Sequence, residues 1–382
     1  MCYTWHKYRM SLFGGNKIES YIGVDIGAEG IKLVELRATK GRPQRWTYGI
    51  AEENLTIHAN SEHGIATLAP SAQGGKKTET KNDEFGPERA DYYGRLLKDL
   101  LKKAKVVGRR AASSLPVSHI FHTIINLPKV PEKEIDRLVK AEITKVLPLP
   151  VEEMQIVYQP VPLSEEMAKH YIRLLVTAAP KNMVMFYTRI FQQAGLSLQE
   201  LETEAFALAR SLVGKDESLT MVVDIGAERT NFSLIDKGLP MTQRSLQLGG
   251  NLLDRVIADR LGVSAAEAQA LKHDISNISA TAVVIDPFIR FLEPLAKEIQ
   301  YHFDLYVSQS GNEGRKPEKI ILTGGAAQFP PVIDYLKSQF ELRVFVGDPW
   351  ARVLYQDGLR PLVHEIAPRM AVAIGLALRS FK

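Results

Sequence analysis

Residues 21–36 read YIGVDIGAEGIKLVEL, and residues 221–236 read MVVDIGAERTNFSLID. Each is an apolar strand, then Asp-Ile-Gly, then a short turn of small or polar residues, then a second strand. In the first copy the outgoing strand sets Ile31, Leu33 and Glu35 against Lys32, Val34 and Leu36, a period of two and hence β. Asp25 and Asp224 each stand where a strand runs out into its turn. The glycine that follows, Gly27 or Gly226, lets a backbone approach a ligand with no Cβ in between. Successive N–H groups in such a turn form a concavity that binds anions. Two facing hairpins of this kind cradle a polyphosphate from both sides.

Paired aspartates beside phosphate require a cation. Two carboxylates about 4 Å apart repel by roughly 4 kcal/mol at an effective dielectric near 20. A hydrated Mg²⁺ held by Asp25, Asp224 and phosphate oxygens relieves that repulsion. The arrangement is neither a P-loop nor a Rossmann turn, because both need a helix directly after the glycines. Here a strand follows in both copies.

Composition sets the limits around this duplication. At 382 residues the chain has room for two domains, and 45% hydrophobic with 24% charged residues is an ordinary globular balance. A net charge of +4 gives no reason to expect nucleic acid as a partner, and Gly108-Arg109-Arg110 is too short a basic run for it. The single cysteine, Cys2, excludes a disulfide framework and suits a reducing cytoplasm. No uninterrupted apolar run is long enough to span a membrane, the best being Met370 to Leu378.

Along the chain, residues 1–17 read as a flexible leader, with Met10 as an alternative start. Residues 58–90 read as a flexible loop. A helix is expected over 91–104, with Tyr93, Leu96, Leu97, Leu100 and Leu101 on one stripe. Residues 107–180 read as an inserted βαββ subdomain. It has a strand at 119–127, a helix from Glu132 turning Ile135, Leu138, Val139, Ile143 and Val146 inward, and strands at 154–161 and 170–178. Helices are expected at 183–193 and 200–212, completing a first domain over 18–218. A second domain over 219–358 carries the second hairpin, a helix opened by the stretch Leu248 to Asp254 and running to Leu261, helices at 265–272 and 287–307, and the buried strand Ile320–Thr323 ending in Gly324-Gly325. Residues 359–382 bring a small-residue helix back to the first domain, with Gly375 at a close helix contact.

Hairpin, insert, second hairpin, Leu-Thr-Gly-Gly and small-residue final helix, in that order, resemble the actin-like ATPase superfamily, which includes actin, Hsp70 ATPase domains, sugar kinases and FtsA. Within it the chain is similar to the PilM family of type IV pilus assembly proteins, from about Leu12 to Leu378. The likeness rests on SLPVSHIFHTIINLPKV, LPLPVEEMQIVYQ, VTAAPKNMV, ELETEAFALAR and DIGAERTNFSLI. It implies an α/β fold of two RNase H-like domains around a nucleotide cleft, with an inserted FtsA-type subdomain, and it implies ATP with Mg²⁺. By the same resemblance Asp25, Gly27 and Lys32 match the first phosphate loop, and Asp224, Gly226 and Thr230 the second. Gly249 and Gly250 match the turn beside the nucleotide, Glu267 and Lys272 the ribose and adenine positions, and Gly324, Gly325 and Ala326 the adenosine motif. Where relatives carry serines, the first loop here reads Ala28-Glu29, which removes hydroxyl donors and puts a carboxylate near phosphate. No residue stands out as a base to position water, so slow or absent ATP hydrolysis is expected.

The resemblance further implies a cytoplasmic scaffold, peripheral to the inner membrane, serving pilus biogenesis and twitching motility. Its implied partners are the N-terminal cytoplasmic peptide of a PilN-like membrane protein, the pilus motor ATPases, and further copies of itself. The rival readings are a sugar or acetate kinase and an FtsA-like division protein. A kinase needs an aspartate base after the second hairpin, which is not found. FtsA ends in an amphipathic membrane helix beyond a linker, and none is read after Leu378.

Overall fold

The computed structural model describes residues 20–39, 42–55, 84–275, 286–309, 311–312 and 314–381. The expected leader and most of the expected loop at 58–90 lie outside these residues. The last part of that loop is structured: α1 (Pro87–Lys103) starts four residues earlier than the apolar stripe indicated, with Pro87 at its first turn.

Two sheets share one topology. The first has strand order β3-β2-β1-β4-β8 and the second β11-β10-β9-β12-β13. In the first, β1 (Ser20–Gly27), β2 (Gly30–Thr39) and β3 (Arg42–Glu52) form an antiparallel meander, and β4 (Arg110–Leu115) and β8 (Ser197–Thr203) add in parallel. In the second, β9 (Thr220–Ile225), β10 (Thr230–Asp236) and β11 (Leu239–Leu246) repeat the meander, and β12 (Lys319–Thr323) and β13 (Arg343–Val346) repeat the parallel pair. The duplication read from two hairpins therefore extends to whole five-stranded sheets. Both meander strands β3 and β11 escaped the sequence reading, since neither is a clean apolar alternation.

Between β4 and β8 the chain makes a separate three-stranded sheet of order β5-β7-β6. Its strands are β5 (Phe121–Pro128), β6 (Met154–Pro160) and β7 (Tyr171–Pro180), and α2 (Glu132–Thr144) covers one face through Val139 and Ile143. This is the expected βαββ order with three corrections. Residues 110–115 belong to the first sheet, so the insert begins after Leu115 rather than at 107. Val146 lies beyond the end of α2 and is 40% exposed. His170 closes a short helix, α3 (Glu165–His170), capped by Ser164, instead of opening a strand. After the insert, α4 (Lys181–Ala194) packs beside α1 on the first sheet. The expected helix at 200–212 starts late: Glu200–Thr203 complete β8, because pairing with β4 captures them, and α5 (Glu204–Leu208) follows, continuing as a π-helical turn to Val213.

The second sheet is covered by α6 (Gly250–Leu261), α7 (Ala265–Ile275), α8 (Ile289–Val307) and α9 (Pro330–Gln339), which bury Leu253, Ile257, Ala268, Phe291, Leu295, Ile299 and Val332 against it. The final helix, α10 (Arg360–Leu378), touches both halves. One side packs on Val34 and Leu36 of the first sheet, the other on Ala207, Val222 and Ile321. At 19 residues and a mean hydropathy of 1.3 it is long and apolar enough to cross a membrane, more than the broken apolar run suggested, yet 67% of that window is buried inside the protein. It is a core helix here. A Cβ at Gly375 would overlap the Ala207 carbonyl, and a Cβ at Gly23 would overlap that of Ala373. Both glycines are therefore sites of backbone-to-backbone packing.

Candidate functional site

Asp25 and Asp224 stand at equivalent ends of β1 and β9, each beside the C-terminal end of a parallel neighbour. Asp25 is 7% exposed, lies 3.6 Å from Lys32 Nζ, and accepts a 3.4 Å hydrogen bond from Ser114 Oγ. Lys32 faces Asp25 because the two are register partners in the β1–β2 hairpin. Asp224 lies near enough to both for their charges to act on it. Burial pushes its carboxyl up to about 7, Asp25's charge adds to the rise, and Lys32 partly offsets it.

A third carboxylate joins them. Glu204, the first residue of α5, is pushed well above the usual range by burial, then by Asp25 and Asp224. Its Oε2 accepts from Asn231 Nδ2 at 2.7 Å and from the Val117 N–H at 3.4 Å. Asn231 is the cross-strand partner of Asp224 on β10. The sequence hides Glu204 because β8, which brings it to the cleft, carries a helical pattern, and hides Asn231 because its pairing with Asp224 across β9 and β10 is a matter of register. A glutamate opening a helix directly after a strand was the available signal.

The glycines fall into two groups. Gly27 and Gly325 face open space: a Cβ on Gly27 would meet only Lys32 Nζ, at 3.6 Å, and one on Gly325 only Arg369 Cγ, at 4.0 Å. Gly226, Gly249, Gly250 and Gly324 are fixed by close packing among the loops. Gly250 N–H donates to Gly226 O at 2.8 Å and Asn251 N–H to Ala227 O at 2.9 Å, which ties the second hairpin loop to the start of α6. Gly324 has φ +91°, and a Cβ there would collide with Ile225 O and Asp224 Oδ1. The double glycine thus lies directly on the second aspartate, with Ala326 buried beside Gly250.

Other expected site residues are placed differently. Thr230 is fully buried and its hydroxyl is spent on Leu248 O. Glu267 is exposed and closes a capping box: its Oε2 accepts from Ser264 N at 2.8 Å and Oγ at 2.7 Å, and its own N–H donates to Ser264 Oγ. Lys272 sits 2.7 Å from Asp254 Oδ1, and its Nζ lies 3.2 Å from where a Gly250 Cβ would be. The structure therefore brings Lys272 to the cleft turn and gives Glu267 to its own helix. Ala28 and Glu29 form the tip of the first hairpin, their carbonyls accepting from Leu55 and Glu53. Burial raises the Glu228 carboxyl, and the charge of Glu29 adds to that rise.

This geometry fits a magnesium–polyphosphate. Burial and neighbouring charge raise the Asp224 and Glu204 carboxyls, a cost that a divalent cation relieves, and the open glycines leave backbone room for phosphate oxygens. Among the described residues no three acidic, histidine or cysteine side chains close on one point as a bare-metal cage. A cation carried by phosphate and water needs no such cage.

Comparisons with known proteins agree with the architecture. The cell division protein FtsA of Enterococcus faecalis is 27% identical over 191 residues, 44% of this chain and 43% of that protein, and FtsA of Enterococcus hirae matches equally. The aligned part is thus less than half the length of these relatives. Among solved structures, a PilM–PilN type IV pilus biogenesis complex matches over 95% of this chain and 98% of that one, with a TM-score of 0.74 and 24% identity. The ethanolamine utilization protein EutJ from Carboxydothermus hydrogenoformans matches over 95% and 90%, with a TM-score of 0.51 and 16% identity. The fold is that of the actin-like ATPases. The family model for type IV pilus assembly protein PilM matches residues 87–381, through the insert, both parallel strand pairs and the final helix, and the chain belongs to that family.

Proposed function

We propose that the protein is an ATP- and Mg²⁺-binding scaffold of the type IV pilus inner-membrane complex, which holds the cytoplasmic N-terminal tail of a PilN-like protein and links it to the motor ATPases. The observation that carries the nucleotide half is the convergence of Asp25, Asp224 and Glu204 beside Gly27 and Gly324-Gly325. Asp25 and Asp224 hold the hydrated cation, the two hairpin loops take the phosphates, and Gly325 with Lys272 borders the nucleoside. The family supports the partner half, as does the likeness to a chain of a PilM–PilN complex. Self-association through the insert is the second reading of that surface.

Glu204 supplies the base that the sequence did not reveal. Held by Asn231 and the Val117 N–H, it faces the two aspartates and is positioned to orient water at a terminal phosphate. Turnover is nonetheless expected to be slow, far below 1 s⁻¹, the low end for enzymes. Glu204→Gln is expected to keep the nucleotide-dependent thermal shift and to lower steady-state phosphate release at least tenfold. Equal rates in the two proteins would remove Glu204 from this role.

The tail is proposed to dock on the first half beside the insert, as an extended peptide using main-chain hydrogen bonds and side-chain pockets. The deletion that tests this has to spare β4. Phe121 and Ala178 are register partners on β5 and β7, so removing 121–178 joins neighbouring backbone positions. The shortened protein is expected to bind ATP and to lose co-purification with the cytoplasmic tail of the membrane partner. Undiminished co-purification overturns the placement and leaves the nucleotide reading standing.

A further inference from the structure

Arg369 of α10 reaches both halves of the molecule. Its stem lies on the open side of Gly325, where Cγ stands 4.0 Å from the position a Cβ would take. Its Nη2 donates to Glu52 Oε1 at 2.8 Å. Glu52 ends β3 and is the register partner of Gly30, so the guanidinium finishes beside the first hairpin loop. Backbone contacts fix where the stem starts. Pro368 O accepts from the Gly324 N–H at 3.0 Å and from Thr323 Oγ1 at 2.9 Å, which ties α10 to the double-glycine turn one residue before Arg369.

The ion pair that holds this arginine is a weak one. The Arg369 side chain is 22% exposed, but that of Glu52 is 69% exposed. An ion pair with one partner largely in water is worth little, so a competing anion displaces it at low cost. Lys32 and Lys272 differ, because they stand against Asp25 and Asp254, whose side chains are nearly buried. A buried carboxylate that loses its cation is costly, and those two lysines are held in place by it. The first loop, meanwhile, offers phosphate no hydroxyl: Ala28 and Glu29 stand between Gly27 and Gly30, and Glu29 adds negative charge.

We infer that Arg369 is a nucleotide-binding residue, which exchanges the Glu52 carboxylate for phosphate oxygens when Mg·ATP occupies the cleft. The planar guanidinium suits this exchange, since its fork takes two phosphate oxygens at once through charge-assisted hydrogen bonds. Glu52 is then a competitor that parks the arginine beside the first loop in the empty protein. Because Arg369 sits on the helix that packs on both sheets, nucleotide occupancy is felt directly by α10. The inference rests on the nucleotide reading above and adds to it a cation from outside the hairpins and glycine turns.

Isothermal titration of the full chain with Mg·ATP gives a readout independent of hydrolysis. The proteins compared are wild type, Arg369→Gln, Glu52→Gln and the double variant. Arg369→Gln is expected to weaken binding roughly tenfold or more. Glu52→Gln is expected to tighten it by about two- to fivefold, the range that an exposed ion pair is worth, and the tightening is expected to vanish in the double variant. A purely structural ion pair gives the opposite sign, so weaker or unchanged binding by Glu52→Gln overturns the inference. Tightening that persists in the double variant overturns it too, since that is a general effect of removing negative charge. Should Arg369→Gln fail to fold by circular dichroism, Arg369→Lys replaces it, with a loss of about threefold expected because the fork is gone and unchanged binding overturning the role. A wild type that binds no adenine nucleotide overturns the nucleotide reading itself, whereas wild-type affinity matched by Arg369→Gln removes this residue alone.

Discussion

Asp224→Asn is expected to move stability in opposite directions with and without ligand. In wild type, Mg·ATP at 100 times its dissociation constant adds about 2.7 kcal/mol, a rise of roughly 3–4 °C in melting temperature for a chain of this length. The asparagine variant is expected to lose the magnesium-dependent part entirely, since one of the two carboxylates proposed to hold the cation is gone. Without ligand the same variant is expected to be the more stable protein at pH 8. The Asp224 carboxyl is raised from an ordinary 3.8 to about 7 by burial and by Asp25. Between those values the folded protein binds a proton that the unfolded chain has released, so stability from this group falls as pH rises from about 4 to 7. Above 7 the full cost of an ionised Asp224 is present. It is roughly 2–4 kcal/mol, set mainly by burial. Urea denaturation at pH 5 and pH 8 checks this: the variant's advantage should be larger at pH 8. An advantage that does not change with pH would mean that the Asp224 carboxyl is not raised on folding, and a magnesium-dependent shift surviving in the variant would sink the cation site.

Gly375→Ala is expected to cost about 3 kcal/mol or more. The added carbon has to enter the Ala207 carbonyl, and backbone cannot rotate away as a side chain can. Arg210 Nε already donates to Gly375 O at 2.9 Å, which pins α10 at this point from the other direction. Because α10 touches both sheets, the shift is expected to weaken nucleotide binding along with stability. Gly358→Ala is the control, since nothing lies within 4 Å of its Cβ position, and it is expected to stay within about 0.5 kcal/mol of wild type. Thermal melting of the two variants side by side is sufficient; equal melting temperatures would mean that the α10–α5 contact is loose.

The sequence by itself determined the elements whose signals are local. Repeated Asp-Ile-Gly-Ala turns between alternating strands disclosed the duplication, and the spacing between them disclosed two halves. The run Ile320–Thr323 before Gly324-Gly325 declared a buried strand, since three consecutive large apolar residues followed by a threonine and a double glycine read as a strand running out into a turn. Gly375 in a small-residue helix pointed to close packing. Each of these is a property of a few neighbouring residues, so no partner element is needed to read it.

Tertiary structure alone decided the rest. Arg110–Leu115 and Ser197–Thr203 are strands because β1 supplies an edge in the first sheet, to which β4 and then β8 add in parallel, and parallel partners lie far away in sequence. That pairing delivers Glu204 to a cleft it shares with residues about 180 and 20 positions away, and distance in sequence hides such a meeting. Burial then sets the charge state of Asp224 and Glu204, which no pattern of residue types encodes. Thr230 and Glu267 show the converse: both carry suitable chemistry, but nearby backbone and a neighbouring serine claim their side chains. The motif named the strands that build the cleft, and long-range packing chose which carboxylates face it and at what cost in free energy.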